Sequence, residues 1–316
     1  MIDDPVYTPL RPARSEWATV RGLRLHLNTW GDASHAAPER PPLLMLHGWM
    51  DAGASFQFVI DALAEERFVL APDLRGFGLS EAPAADSYWF PDYLADLDGL
   101  LDRMIEARWP GLPVDLLGHS MGANVAMLYA GVRPARVRRL INLEGFGLPA
   151  SKPAQAPGHY AKWLDELKAP ARMRDYDSLD GVVARLRKTN PLLRADRAAW
   201  LASRWSAELA DGSGRRRLLA DPAHKRANPV LYRKKEALEC WKRITAPVLW
   251  VEGDCTGVTR RWNEGYPPGE IDARLAVVPQ VRKERLAPAG HMLHHDQPEA
   301  LARLIEAFLD AGSPGR

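Results

Sequence analysis

The chain has 316 residues, with 42 Lys+Arg against 40 Asp+Glu, a formal net charge of +2 and 46% apolar residues. That balance excludes the strong basic excess of a dedicated nucleic-acid binder, and the apolar share is enough for a full core. Two cysteines, Cys240 and Cys255, cannot build a disulfide framework, so a reducing, cytoplasmic setting is expected.

The opening Met1-Ile2-Asp3-Asp4-Pro5 lacks the basic and apolar regions of a signal peptide. No apolar run approaches the ~18 residues of a membrane span. Trp17–Val20 and Leu23–Trp30 read as strands around an Arg21-Gly22 hairpin turn. Leu43–Leu46 is a short apolar run ending at His47-Gly48, and Arg67–Ala71 is another, ending at Pro72-Asp73; both read as buried strands. Ser55–Ala64 has helical spacing, and Tyr88–Arg108 predicts a longer amphipathic helix. Val114–Leu117 (strand), Ser120–Ala130 (helix) and Val137–Leu143 (strand) continue the rhythm. Such alternation predicts right-handed crossovers and a mostly parallel sheet covered on both faces.

From about Leu148 the rhythm stops. Residues 150–243 hold polar, Arg-rich helical segments broken by Pro, with no strand runs. Strands resume at Pro247–Val251 and Arg285–Ala287, a closing helix covers Pro298–Leu309, and Ala311–Arg316 reads as a frayed tail. The expected organisation is a core of 1–149 and 244–316 interrupted by a helical insertion at 150–243.

Gly118-His119-Ser120-Met121-Gly122 sits between a predicted strand and a predicted helix. That context makes Ser120 a candidate nucleophile: glycines on both flanks relieve a tight turn that lifts the hydroxyl out at the sheet edge. A serine needs a base. His291 is the candidate, just after the last strand and later in the chain than the serine. His294 and His295 fall in or beside the next helix, where solvated or packing roles are expected. An oxyanion needs converging backbone N–H groups. Met121, next to the nucleophile, and Trp49, after Gly48, are the candidates. His47 is expected to brace that loop.

These residues together resemble the α/β-hydrolase superfamily, over about residues 24–148 and 245–312, and its serine hydrolase-like branch in particular. Asp73-Leu74-Arg75-Gly76-Phe77-Gly78-Leu79-Ser80 adds to the likeness. The resemblance implies an α/β-hydrolase fold with the inserted segment as a helical cap. It also implies a catalytic acid. Many members carry it after the strand that follows the cap, as Gly-x-x-Asp, but here Thr256 stands three past Gly253. Glu252 and Asp254 are near but offset. A second place used in the superfamily is the end of the strand after the nucleophile's helix, and there Glu144 stands. An unpaired carboxylate would be costly at that point, and a histidine partner would explain it. Glu144 is the favoured acid and Asp254 the alternative.

The expected activity is therefore a cofactor-free serine hydrolase acting on an ester or related acyl bond of a small, largely apolar substrate. The same scaffold supports C–C bond hydrolases, lyases and cofactor-free oxygenases, and a non-catalytic small-ligand binder would also keep the pocket. Trp163, Trp200 and Trp205 are candidate substrate-binding residues, with packing as the competing role for each. The basic runs Arg215–Arg217, Lys225-Arg226 and Arg233–Lys235 read as a solvated face. No metal site is expected, since His294-His295-Asp296 is too compact and the cysteines lack Cys-x-x-Cys spacing. The expected partner is a small-molecule substrate, with no nucleic acid, in a monomer or homodimer.

Overall fold

In the computed structural model, which describes residues 7–257 and 266–311, the chain opens with a hairpin. β1 (Arg14–Val20) and β2 (Leu23–Trp30) pair antiparallel around Arg21 and Gly22, which have φ of 50° and 81°. Two residues at positive φ give the turn whose twist matches the strands it joins. β3 (Leu43–Leu46), β4 (Val69–Pro72), β5 (Val114–His119) and β6 (Val137–Leu143) follow. Between them lie α1 (Gln57–Ala62), α2 (Phe90–Leu101) and α3 (Met121–Val132). α2 runs on through one wider turn, in which the Ala107 N–H reaches back to the Asp102 carbonyl.

The segment after β6 holds α4 (Ala156–Leu167), β7 (Asp175–Tyr176), α5 (Leu179–Thr189), α6 (Ala195–Trp205), β8 (Ser206–Glu208), β9 (Arg216–Leu218) and α7 (Lys234–Trp241). β10 (Val248–Gly253), α8 (Glu270–Leu275), β11 (Val281–Leu286), α9 (Leu293–Asp296) and α10 (Pro298–Asp310) complete the described chain. Residues 312–316 of the expected tail, and the opening Met1–Pro5, lie outside the described residues.

The main sheet has eight strands in the order β1-β2-β4-β3-β5-β6-β10-β11. β2 pairs antiparallel with both β1 and β4, and every pairing from β4 to β11 is parallel. Both parities of each central strand are buried. Leu44, Leu46, Leu116, Leu140, Val248 and Trp250 join one core, with α2 and α3. Leu43, Met45, Leu117, Ile141, Leu249 and Val251 join the other, with α1 and α10. That is why these strands read as unbroken apolar runs.

Two expectations need correction. The segment 150–243 does contain strands: β7, β9 and β8 form a small antiparallel sheet. Its strands are two or three residues long and carry Arg216 and Arg217. They are held by pairing and charge, with Arg217 on Asp175 (2.6 Å) and Arg215 on Asp211 (2.9 Å), so apolar periodicity cannot reveal them. The basic run Arg215–Arg217 is thus partly ion-paired. α7 is the second case. It packs on α3 so closely that a Cβ on Gly131 would lie 1.9 Å from the Cys240 carbonyl oxygen. Trp241, 2% exposed, joins the core beside α3, so the last helix of 150–243 is built into the main layer.

The last strand is also longer than expected, six residues instead of three. Val281-Arg282-Lys283-Glu284-Arg285 forms the sheet edge, where charged side chains are tolerated and discourage edge pairing.

Candidate active site

The loops that follow β3, β5, β6, β10 and β11 meet at the C-terminal edge of the sheet, where open α/β sheets place their ligands. Ser120 follows β5 with φ 52° and ψ −112°. A non-glycine residue in that region is strained, and the surrounding packing must hold it there. Its N–H donates to the Leu143 carbonyl (2.8 Å). A Cβ on Gly118 would come within 2.5 Å of the Ala123 backbone, and one on Gly122 within 2.3 Å of the Leu46 carbonyl. Both flanking glycines are therefore steric requirements of the turn.

His291 bridges two side chains. Its Nε2 lies 3.0 Å from Ser120 Oγ and its Nδ1 3.1 Å from Glu144 Oε2. An ionised carboxylate only accepts hydrogen bonds, so Nδ1 carries the proton and the Nε2 lone pair faces the serine hydroxyl. Glu144 is fully buried and has φ 57°. Its Oε1 accepts the Gly253 N–H (2.7 Å), and its Oε2 accepts the Thr256 hydroxyl (2.6 Å) besides His291. Three donors replace the water lost on burial.

Asp254 does not join this group. Its carboxylate accepts the Ala289 N–H at 2.8 Å, which holds its carboxyl below the usual aspartate value. It thereby fixes the loop that carries His291. Glu252 accepts the Trp250 indole N–H (2.8 Å).

The histidine loop is held on several sides. Gly290 N–H donates to Asp296 (2.8 Å), and the His291 carbonyl accepts the His119 Nε2 proton (2.8 Å). Burial, with His294 and His291 nearby, holds the His119 imidazole well below the usual histidine range, so it is neutral. A Cβ on Gly48 would lie 2.8 Å from His119 Nδ1, so this glycine lets the β3 loop pass the ring.

In that β3 loop, His47 is buried, donates from Nδ1 to the Gly48 carbonyl (2.7 Å) and accepts the Leu74 N–H at Nε2 (2.9 Å). Both ring nitrogens are engaged in bracing, as expected. Asp73 accepts the N–H groups of Gly53 (2.7 Å) and Leu79 (2.9 Å). Arg75 forms a bidentate pair with Asp96. Met121 opens α3, so its N–H belongs to the helical turn that lacks an intrahelical acceptor. The Trp49 ring is exposed and donates to the His224 carbonyl (3.3 Å).

His294 and His295 are buried rather than solvated. Among the described residues, Asp51, His294 and His295 bring metal-type ligand atoms within 4.8 Å of one another. Asp51 already accepts the Ala52 N–H (2.7 Å) and the Ser55 hydroxyl (2.9 Å), and His294 Nε2 lies 3.3 Å from Ser55 Oγ. This cluster ties the β3 loop to the histidine loop.

The three candidate tryptophans divide. Trp205 lines a cavity of about 10 Å³ with Met50, Asp51 and Leu218, against the β3 loop. Trp200 is buried, with its ring centroid 5.6 Å from those of Phe58 and Tyr7, so it is taken up in packing. Trp163 is half-buried on α4. The segment after β6 touches the site loops at several points. Gly78 N–H donates to the Leu219 carbonyl (2.8 Å), and Asn190 donates to Asp296 (2.7 Å). His224 stacks between Phe77 and Tyr88 at 3.7 Å, where burial lowers its pKa to about 4.

A family model described as the α/β-hydrolase fold matches residues 41–298. The chain belongs to the α/β-hydrolase family. Several of its relatives are serine hydrolase-like proteins. A serine hydrolase-like protein of Danio rerio is 26% identical over 322 residues, covering 97% of this chain and 92% of that protein. A 2-hydroxymuconate semialdehyde hydrolase of a Pseudomonas species is 38% identical over 111 residues, 34% of this chain and 37% of that enzyme. Among solved structures, a thioesterase domain from the curacin biosynthetic pathway superposes with a TM-score of 0.78 at 28% identity, covering 93% of this chain and 99% of that domain. Among the described residues, no helix is long and apolar enough to cross a membrane.

Sequence reasoning missed Thr256 and the Gly253 N–H as donors to Glu144. For Thr256 the signal was present as a gap: a hydroxyl stood where the family resemblance leads one to look for a carboxylate.

Proposed function

We propose that this α/β hydrolase is a serine hydrolase of ester or related acyl bonds, working through Ser120, His291 and Glu144. The observation that carries the reading is the bridge made by His291, 3.0 Å from Ser120 Oγ and 3.1 Å from a buried carboxylate. As Ser120 Oγ attacks the carbonyl carbon, its proton passes to His291 Nε2. Glu144 holds the tautomer and stabilises the imidazolium. The Trp49 and Met121 N–H groups receive the oxyanion. His291 then protonates the leaving alcohol or thiol, and a water activated by the same imidazole releases the acid. No cofactor enters this sequence. The segment between β6 and α7 serves as the cap over a small, largely apolar substrate. Two cysteines that share no disulfide suit a reducing, cytoplasmic setting.

The test is hydrolysis of short p-nitrophenyl esters and thioesters together with labelling by a fluorophosphonate. Ser120→Ala should lose both label and turnover, by about 10³-fold or more with folding intact. Wild-type activity in that variant would end the proposal. The likeness to a 2-hydroxymuconate semialdehyde hydrolase favours a second reading, C–C bond hydrolysis by the same three side chains. A kcat/KM on 2-hydroxymuconate semialdehyde well above that on any ester would select it.

A further inference from the structure

The loop after β10 occupies the place from which many family members present a carboxylate, yet it sends none to His291. It sends two donors to the carboxylate that comes from β6. Gly253 N–H meets Glu144 Oε1 at 2.7 Å and Thr256 Oγ1 meets Oε2 at 2.6 Å. The Thr256 N–H also turns back toward the Gly253 carbonyl (3.4 Å), so one tight turn aims both donors. We infer that Thr256 is a positioning residue for the proposed triad, its hydroxyl holding Glu144 Oε2 in line with His291 Nδ1.

The argument is geometric. Oε2 is the oxygen that faces the imidazole, and it has two lone-pair directions. One is taken by His291 Nδ1 (3.1 Å) and the other by Thr256. With Gly253 on Oε1, both ends of the carboxyl group are pinned and its plane cannot rotate. Without the hydroxyl, Oε2 keeps the longest of the three bonds, the one to the ring that moves protons. A hydrogen bond to a buried charge is also among the stronger kinds. The bridge crosses two strands that are neighbours in the sheet, β6 and β10. It therefore couples the carboxylate to the same loop whose Asp254 carries the His291 segment.

This inference rests on the proposed hydrolase reading, and two readouts keep their failures apart. The first is kinetic. Thr256→Val, which keeps the shape and removes the hydroxyl, should lower kcat on a p-nitrophenyl ester about 10-fold. KM should stay near the wild-type value, Tm should fall by a few degrees as a bond to a buried charge is lost, and Thr256→Ser should restore kcat to within about 2-fold and recover Tm. The second needs no turnover. In proton NMR, the strongly deshielded proton shared by His291 Nδ1 and Glu144 should shift or broaden in Thr256→Val and match wild type in Thr256→Ser. An unchanged resonance with unchanged kcat in Thr256→Val overturns the inference. A responsive resonance in a protein that neither labels with fluorophosphonate nor turns over any ester leaves Thr256 in its role and removes the hydrolase reading instead.

Discussion

The loops after β6 and β10 start from neighbouring strands and both present an acidic residue at once, Glu144 in one and Asp254 in the other. Their fates differ. Glu144 turns inward at φ 57°, is fully buried and meets His291. Asp254 stays partly exposed and caps the Ala289 N–H. The β6 loop is held at several points. Asn142 accepts the Gly145 N–H (2.8 Å), Asn124 accepts that of Gly147 (2.8 Å), and Arg274 donates to the carbonyls of Phe146 (2.8 Å) and Leu148 (3.0 Å). A carboxylate can stabilise an imidazolium strongly only where water is excluded and its own position is over-determined. The contrast therefore turns on burial and support, since both residues carry the same charged group.

The largest expected effect separates the two acids directly. Glu144→Gln should lower kcat about 10³- to 10⁴-fold, because an amide favours the wrong imidazole tautomer. Asp254→Asn should cost less than about 3-fold, as expected for a group that touches the histidine loop only through backbone. Steady-state kinetics on one ester, with circular dichroism as the folding control, decides it, and the reverse order would move the acid to the β10 loop. A smaller change probes the support. Glu144→Asp keeps the charge and tolerates positive φ. It withdraws the oxygens from His291, so kcat should fall about 10- to 100-fold.

The smallest effect concerns stability. The Ala289 N–H, followed by lesser contributions, holds the Asp254 carboxyl below its ordinary value of 3.8. A folded-state pKa that is depressed contributes stability above the unfolded value and loses it as pH falls through the folded one. Asp254→Asn should therefore lower Tm slightly at pH 7, and the difference from wild type should vanish as the pH drops below 3.8. A difference that persists unchanged in acid would mean the carboxylate charge is not what holds the loop.

The sequence made the central layers legible because burial on both faces leaves the strands apolar throughout, as in Leu43–Leu46 and Val248–Val251. It made Ser120 legible because glycine is required on each side of the turn. The polar edge strand Val281–Leu286 and the short strands of the segment after β6 were obscured for the opposite reason. They are held by backbone pairing and charge, with little apolar surface to leave a pattern. Trp200 and Trp205 look equivalent in sequence and both lie on α6. Both pack with the cluster around Phe58, and tertiary structure alone sets Trp205 also against Met50 and His295.

By itself the sequence determined the alternating architecture, the nucleophile turn and the histidine that follows the last strand, because each depends on local sterics or on period. That Glu144 rather than Asp254 lies beside His291, that His294 and His295 are buried, and that Thr256 turns toward Glu144 are matters of tertiary structure. These depend on which loops converge at one sheet edge and on which charges find donors there, and no local pattern carries that information.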